Sequence, residues 1–416
     1  MAIEQMIIAL IMLLAASLFS EPVAQWLRLP HTLLLVFIGF IGSELVLLAG
    51  YDTGLRADTF QHLVVFVFLP ILIFEAAFAI NAQALIRLLL PIMSLAIIGV
   101  LLTTAVIGAA LYYAIGHPQG FPWSSALLAG VLLAATDPVA VVTQLKSLGA
   151  PERLAIMLEG ESLFNDATAI VLFSVLLLIA SGGSQMNASD ALLEFLRVFL
   201  GGAAIGAVIG LVGVWIMHKL ISFPQRAQLT LLLAYGSFSA AEIWWHVSGV
   251  MAVLICGLLV GNLSQRQTEG ASFRTQQPSL HERLHQLWGL LGYLANGLLF
   301  LLMGITITLN MFTERYLAMM IGIFAILLAR GLSIPFSLAI ARLIRGPKIT
   351  LQEQRIMHWG GLRGAITLVL ALSLPTSIEG WWTIQSIAYG VVIFTLLVQA
   401  PSMPWLLRKS GLNRKK

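Results

Sequence analysis

The chain carries little charge for its length. Only 10% of its 416 residues are Asp, Glu, Lys or Arg, whereas 59% are hydrophobic. Soluble domains carry about 25% charged and about 45–50% apolar residues. The composition therefore excludes an ordinary soluble protein and predicts a polytopic membrane protein in a lipid bilayer. The net charge of only +4 gives no reason to expect a nucleic-acid partner.

Cysteine and long polar segments are also scarce. Cys256 is the only cysteine, which excludes a disulfide within the chain and a cysteine-based metal centre. The longest polar stretch, residues 264–286, can hold no more than an interfacial helix. We therefore expect one transmembrane domain over 1–416, no soluble domain and no cofactor. The first apolar run follows Glu4 instead of a basic segment and lacks a cleavage site, so it is interpreted as a retained helix.

Long apolar runs, in contrast, are abundant. Runs of roughly 20 residues or more, separated by Pro, Gly and charged residues, have the length of transmembrane helices. They predict an all-α protein with about thirteen spans, at 5–26, 31–50, 59–80, 84–113, 122–146, 151–180, 190–218, 226–246, 248–264, 286–309, 315–342, 350–373 and 381–407.

Lys and Arg are concentrated in alternate loops, as the positive-inside rule requires. With thirteen spans and a cytoplasmic C-terminus, the N-terminus lies outside, and only Arg56, Arg197 and Arg315 face outward. The inward-facing set is Arg28, Arg87, Lys146, Arg153, Lys219, Arg226, Arg266, Arg274, Arg283, Arg342, Arg345, Lys348, Arg355, Arg408, Lys409, Arg414, Lys415 and Lys416. This distribution predicts a multi-pass plasma-membrane protein, in the inner membrane if the source is bacterial.

Helix breakers occupy corresponding places in two spans. Spans one to six and eight to thirteen can form two six-helix repeats of opposite orientation, roughly 1–180 and 226–407, as in many transporters. Pro138 lies at the middle of span five, and the glycine-rich segment 360–364 lies at the middle of span twelve. Broken helices are tolerated in the membrane where they line a cavity. The match favours a carrier.

Three acids lie within adjacent apolar spans. Asp137 is in span five, and Glu161 and Asp166 are in span six. An ionised Asp at the bilayer centre costs roughly 2.5 kcal/mol or more, so an intramembrane acid is a functional hypothesis by default. Ser162 shares a helix face with Asp166 at i, i+4, and Glu161 pairs in the same way with Asn165 on an adjacent face. The acids therefore predict an ion site.

Hard cations such as sodium prefer oxygen ligands. The candidate ligands are Thr136, Asp137, Ser162 and Asp166, together with carbonyls freed before Pro138. The alternative is a polar network that only fixes helix packing. Burying three acids for packing alone would cost a large amount of free energy.

Buried acids need partners, and two arginines also fall inside spans. We predict that Arg330 pairs with Glu161, and that Arg363 stabilises the broken span twelve through its carbonyls or a nearby acid. Asp166 would then be the titratable group, where a proton and a cation compete.

The motifs that contain these residues resemble those of the monovalent cation:proton antiporters, in the NhaP and sodium/hydrogen-exchanger branch. They are FLPILIFEAAF (68–78), ATDPVAVV (135–142), LEGESLFNDATAIVLF (158–173), ARGLSI (329–334) and GGLRGAITLVLAL (360–372). They extend from span three to span twelve, and ESLFND with an upstream TDP is highly specific. The resemblance therefore covers essentially the whole chain.

The resemblance implies a homodimer with a thirteen-helix, inverted-repeat fold, in which a core domain with crossed broken helices moves against a dimerisation domain. It implies that Asp166 is the obligatory ion and proton site, joined by Thr136, Asp137 and Ser162. Glu75 contributes in some members. An Asn at position 165 is typical of the electroneutral branch, which exchanges one cation for one proton, and the family pairs the acid at 161 with the arginine at 330.

These patterns predict a sodium(lithium)/proton antiporter and not an enzyme. Potassium/proton exchange by the same fold remains open. A cation channel would need polar rings along several helices, whereas the polar groups here concentrate at one depth. An intramembrane aspartyl protease using Asp137 and Asp166 would lack its typical motifs and would leave Arg330 and Arg363 without a role.

Overall fold

A computed structural model describes residues 3–27, 30–48, 64–115, 121–181, 187–268, 279–344 and 346–412. These residues are almost entirely helical and contain no strand, so the predicted all-α class is confirmed. The predicted start of span three, at 59–63, lies outside the described residues. The same is true of several basic residues of the orientation argument, namely Arg28, Arg56, Arg274, Arg345, Arg414, Lys415 and Lys416.

The described residues of the first half form eight helices. They are α1 Ile3–Leu27, α2 His31–Leu48, α3 Val64–Ala79, α4 Ala82–Arg87, α5 Leu89–Ala114, α6 Trp123–Leu132, α7 Val139–Ser147 and α8 Glu152–Ala180. The second half forms α9 Ala188–Lys219, α10 Phe223–Ser239, α11 Gly249–Thr268, α12 Leu280–Thr306, α13 Leu309–Leu343, α14 Leu351–Trp359, α15 Ala365–Leu372 and α16 Trp381–Lys409.

Each of the thirteen predicted spans contains a helix or a pair of shorter helices. Within the described ranges, six helices are long and apolar enough to cross a membrane on their own: α5, α8, α9, α12, α13 and α16. Several other spans are shorter apolar helices, such as α2, α3 and α11. Spans five and twelve are each broken into two helices, α6 with α7 and α14 with α15, as their breakers predict.

Span eleven begins at Leu309 and not at residue 315, and span ten begins at Leu280 and not at residue 286. Ser279 and Glu282 form a capping box there: the Ser279 hydroxyl accepts from the Glu282 N–H, and the Glu282 carboxylate accepts from the Ser279 N–H. This reciprocal cap satisfies two end groups of the helix. Residues 280–285 therefore belong to α12.

The described helices pack mainly in two groups. In one group, α12 packs on α2 and α3, and α9 packs on α11. In the other, α5 packs on α6 and α13, and α13 packs on α16. Helix α8 lies within the second group but also reaches α9 and α11. This division agrees with a core domain beside a second domain, whereas the repeat limits 1–180 and 226–407 remain a prediction.

The two broken spans meet at their breaks. The Asp137 N–H, between α6 and α7, donates to the Leu362 carbonyl, between α14 and α15, at 2.9 Å. A Cβ at Gly364 would collide with the Asp137 carboxylate, so this approach requires glycine. Irregular backbone at membrane depth is tolerated where it is buried in protein or lines a cavity. Here a backbone donor of one break is paired with a backbone acceptor of the other.

Candidate ion-binding site

The polar face of α8 is directed at the break between α6 and α7. The Ser162 hydroxyl donates to the Thr136 carbonyl at 2.5 Å. The Asn165 amide donates to the Ala134 carbonyl at 3.0 Å and to the Thr136 hydroxyl at 3.3 Å. Carbonyls in a broken helix lack their i+4 donors, and these two side chains replace them. Two of the predicted site residues therefore also hold the break in place.

Asp166 lies one turn after Ser162 and is only 9% exposed. Its Oδ1 atom accepts no hydrogen bond from any residue that the structure describes. The side chain lines a cavity of about 330 Å³. Four other predicted ligands line the same cavity: Glu75, Thr136, Asp137 and Ser162. All five are therefore brought to one place, and a carboxylate oxygen of Asp166 is free to bind a ligand.

Asp137 is half-buried at the start of α7. Its Oδ1 accepts from the Val139 N–H at 3.0 Å, which places the negative charge at the positive end of the helix dipole. Pro138 is buried between them and has no N–H to donate. Asp137 therefore lies in the non-helical segment between α6 and α7, and its carboxylate is beside the cavity.

Glu75 reaches the cavity from α3. It is half-buried on α3 and packs against Gly292 of α12. Together with Asp137, it also lines a second cavity of about 590 Å³. The two acids therefore lie where the two cavities meet, and they belong to different helix groups.

Two polar residues of the site were missed by sequence reasoning. Asn296 of α12 lines both cavities. Thr367 of α15 lines the smaller one, is fully buried, and its hydroxyl has no hydrogen-bond partner among the described residues. A lone Asn in an apolar span and a Thr one turn after the Gly364 break are signals that could have found them.

Glu161 and Arg330 form a buried ion pair, with 2.9 Å between Oε1 and Nη1. The two residues are 3% and 6% exposed. Arg330 also donates to the Met357 carbonyl at 2.7 Å. The predicted pair is therefore present, and it joins α8 to α13 and to the end of α14. Glu161 does not line either cavity.

Arg363 is fully buried in the break of span twelve. The Nη1 atom of its side chain donates to the Gly361 carbonyl at 2.7 Å. Its backbone N–H donates to the Thr395 hydroxyl of α16 at 3.3 Å. Of the two predicted modes, the carbonyl contact is the one that forms as a hydrogen bond. The guanidinium also lines the larger cavity with Asp137, so it places a positive charge beside the acids.

The ligand set is typical of a hard, weakly held cation. Among the described residues, no group of three or more His, Cys, Asp or Glu side chains converges on one point. The cavity instead combines carboxylates with the hydroxyls of Thr136 and Ser162 and with backbone carbonyls. Transition metals prefer nitrogen or sulfur ligands, whereas alkali and alkaline-earth cations prefer oxygen.

The smaller cavity extends to residues of α7 and α8 that are partly exposed. Lys146 and Glu159, which form an ion pair with 2.8 Å between Nζ and Oε1, line it together with His285. A separate cavity of about 560 Å³ lies beyond the site and is lined by Ile170 and Val369. Ile170 is one helical turn after Asp166. Asp166 therefore borders the first cavity but not the second.

Comparisons with known proteins identify the family of the chain. Residues 8–409 match the family described as sodium/hydrogen exchanger, transmembrane. The Na(+)/H(+) antiporter ApNhaP of Aphanothece halophytica is 35% identical over 99% of this chain and 75% of its own. The Na(+)/H(+) antiporter NhaH of Halobacillus aidingensis is 30% identical, covering 97% of this chain and 98% of its own.

The fold also matches a solved structure, the sodium proton antiporter MjNhaP1 of Methanocaldococcus jannaschii. The TM-score is 0.80 at 22% identity, over 98% of this chain and 100% of that one. The match shows a shared fold. The family match over nearly the whole chain and the two relatives settle the assignment. The chain belongs to the sodium/hydrogen exchanger family, a family of multi-pass membrane cation/proton antiporters.

Proposed function

We propose that the protein exchanges one sodium or lithium ion for one proton, without net charge movement, across the plasma membrane. The protein would act as a homodimer with its N-terminus outside and its C-terminus in the cytoplasm. The observation that carries this proposal is the Asp166 carboxylate, buried beside a cavity with one oxygen free of any hydrogen bond from the described residues. Related antiporters from Aphanothece, Halobacillus and Pseudomonas carry the name Na(+)/H(+) antiporter.

Competition at one carboxylate explains the coupling. A cation bound by Asp166, with oxygens of Thr136, Asp137 and Ser162 nearby, neutralises the carboxylate and so disfavours a proton on it. A proton on Asp166 removes the charge that holds the cation. Each ligand therefore displaces the other, and the protein needs no cofactor for this exchange.

The neighbouring side chains support a one-for-one ratio. Asn165 occupies the position next to Asp166 and is uncharged, and its amide is already engaged with the Ala134 carbonyl. Glu161 is neutralised by Arg330 at 2.9 Å. Asp166 is then the one group of α8 at the site whose charge changes during the cycle.

Alternating access is supported by the position of the cavities. Asp166 borders the smaller cavity, which Lys146 and Glu159 also line. Ile170, one helical turn further along α8, borders the separate cavity of about 560 Å³. A sliding of the second helix group relative to the first by about one helical turn, roughly 5 Å, would exchange the cavity that Asp166 borders. A channel would instead need one continuous pathway, so exchange fits the geometry better.

The test is cation-driven proton flux in proteoliposomes that contain the purified protein. We expect Asp166→Asn to abolish flux, because an amide neither ionises nor carries a proton. Glu152→Gln, an exposed acid on the first turn of the same helix, is the matched control and should transport normally. Substantial flux in the Asp166 variant would rule out Asp166 as the carrier.

Two further measurements test which cation is preferred and whether exchange moves net charge. Flux with sodium, lithium and potassium in turn distinguishes sodium exchange from potassium exchange, which the fold also permits. A voltage-sensitive dye reports whether exchange moves net charge. If the wild-type protein generates a membrane potential, the one-for-one ratio is wrong, whichever cation is preferred.

A further inference from the structure

A groove beside α13, α14 and α16 shares no lining residue with the two cavities of the ion site. It consists of two cavities that share the lining residues Pro335 and Gln354. The first, about 510 Å³, lies between α13, α14 and the end of α16. The second, about 640 Å³, lies along the last turns of α13 and the loop to α14. We refer to both together as the α13–α16 groove.

The walls of the groove are largely apolar, and its rim is exposed. Ile334, Leu338 and Leu406 line it. At its rim, Leu343 is 86% exposed and Trp405 is 62% exposed. Side chains of this size are exposed in a membrane protein where they contact lipid chains, and Trp is typical of the interface between chains and headgroups. The groove therefore opens toward lipid.

Three exposed cations line the groove. Arg355 lines the first cavity, and Arg342 and Lys348 line the second. All three are exposed, and none takes part in an ion pair with any acid that the structure describes. The residues lining the two cavities include no Asp or Glu. These charges lack a partner within the described protein.

The acid nearest in sequence does not neutralise them. Glu353 is buried and accepts hydrogen bonds from the Thr350 N–H at 2.7 Å and the Thr350 hydroxyl at 2.8 Å. It caps α14 and faces its own helix end. The loop before it is also held: the Arg153 guanidinium donates to the Lys348 carbonyl at 2.9 Å. The backbone that carries Lys348 is thus fixed before any ligand arrives.

We propose that the α13–α16 groove binds an anionic phospholipid of the cytoplasmic leaflet. The phosphate would lie against Arg342, Lys348 and Arg355, and an acyl chain would lie along the apolar wall toward Trp405. All three cations belong to the set that the loop charges place on the cytoplasmic side. Basic pockets between transmembrane helices on that side are suited to anionic lipid headgroups.

The position of the groove links this lipid to the ion site. Its deep wall contains Arg330 and His358. Arg330 is the partner of Glu161, and His358 lies on α14, two residues before the break begins. A bound lipid would therefore contact residues that lie next to the broken span twelve.

The experiment measures lipid-dependent thermal unfolding of the purified full-length protein in an uncharged detergent. The ligands are dioleoylphosphatidylglycerol, dioleoylphosphatidylcholine and the soluble headgroup glycerol 3-phosphate. The test variant carries Arg342→Gln, Lys348→Gln and Arg355→Gln. The matched control carries Arg87→Gln, Lys219→Gln and Arg283→Gln, which removes the same charge from exposed residues of the same predicted membrane side.

We expect phosphatidylglycerol alone to stabilise the wild type, with saturation. Its half-maximal concentration should rise on the order of a hundredfold in the test variant, at about fivefold for each cation, and stay unchanged in the control. If the test variant does not fold, Arg355→Gln by itself should give about fivefold. Trp405→Ala should weaken binding while all three charges remain.

Three outcomes would overturn the proposal. Equal lipid affinity in the wild type and the test variant would show that these cations do not hold the headgroup. Equal loss in the control would show diffuse attraction to the basic face. Full stabilisation by glycerol 3-phosphate would show a free-anion site that does not need the acyl chain.

Discussion

Replacing Arg330 with Met would remove the cation of a buried ion pair and leave Glu161 with no counter-ion. The pair is 2.9 Å long, both residues are less than a tenth exposed, and Arg330 also bonds the Met357 carbonyl. Breaking a buried pair in this way costs about 3–5 kcal/mol, whereas replacing both partners by apolar groups is often nearly neutral. We therefore expect strong coupling between the two positions.

The assay is a double-mutant cycle with Glu161→Leu and Arg330→Met, followed by thermal unfolding in detergent. At about 2 °C for each kcal/mol, each single variant should unfold about 6–10 °C below the wild type. The double variant should recover most of that loss. A reversed pair, Glu161→Arg with Arg330→Glu, should also unfold at a higher temperature than either single charge removal.

An exposed ion pair of the same chain provides the control. Arg197 and Glu194 lie 2.6 Å apart, but their side chains are 52% and 26% exposed. Exposed pairs contribute about 0–1 kcal/mol, so Arg197→Met should shift unfolding by no more than about 2 °C. If the losses at 161 and 330 simply add in the double variant, the buried pair is not a coupled unit and the reasoning fails.

Three further substitutions test the site itself. Asn165→Asp replaces an amide that donates to the Ala134 carbonyl with a second acid, and we expect exchange that responds to membrane potential; a response identical to wild type would contradict the role of Asn165. Gly364→Ala places a Cβ against the Asp137 carboxylate and should reduce flux at least tenfold while the protein still folds, whereas Gly236→Ala, with open space around its Cβ, should not. Thr367→Val removes a buried, unpartnered hydroxyl from the cavity and should weaken the apparent affinity for the cation several-fold without lowering stability; normal affinity would exclude Thr367 from the ligand set.

Much of the fold was predictable because the membrane imposes length and polarity on each span. Pro138 and the 360–364 glycines marked both helix breaks, and the spacing of Ser162 and Asp166 marked the face that meets the first break. The pairing of Glu161 with Arg330 followed from the scarcity of buried cations. These features are local, or they follow from counting charges in a medium that tolerates few of them.

Other features depend on which helices become neighbours, and no local pattern encodes that. Asn296 and Thr367 look ordinary in their own spans, and they join the site only because α12 and α15 line the same cavity. The hydrogen bond from the Asp137 N–H to the Leu362 carbonyl likewise requires the two breaks to cross. The start of α12 at Leu280 was missed because its capping residues are polar and resemble a loop.

The separation of Glu161 from Arg330 along the chain has a consequence for biosynthesis. The two residues are 169 positions apart. At a synthesis rate of about 5–20 residues per second, roughly 10–30 s pass between them. During that interval α8 enters the membrane with an acid whose counter-ion does not yet exist. The first half is therefore inserted before Arg330 is available to neutralise Glu161. A ribosome that stalls before residue 330 would leave an unpaired acid in the bilayer.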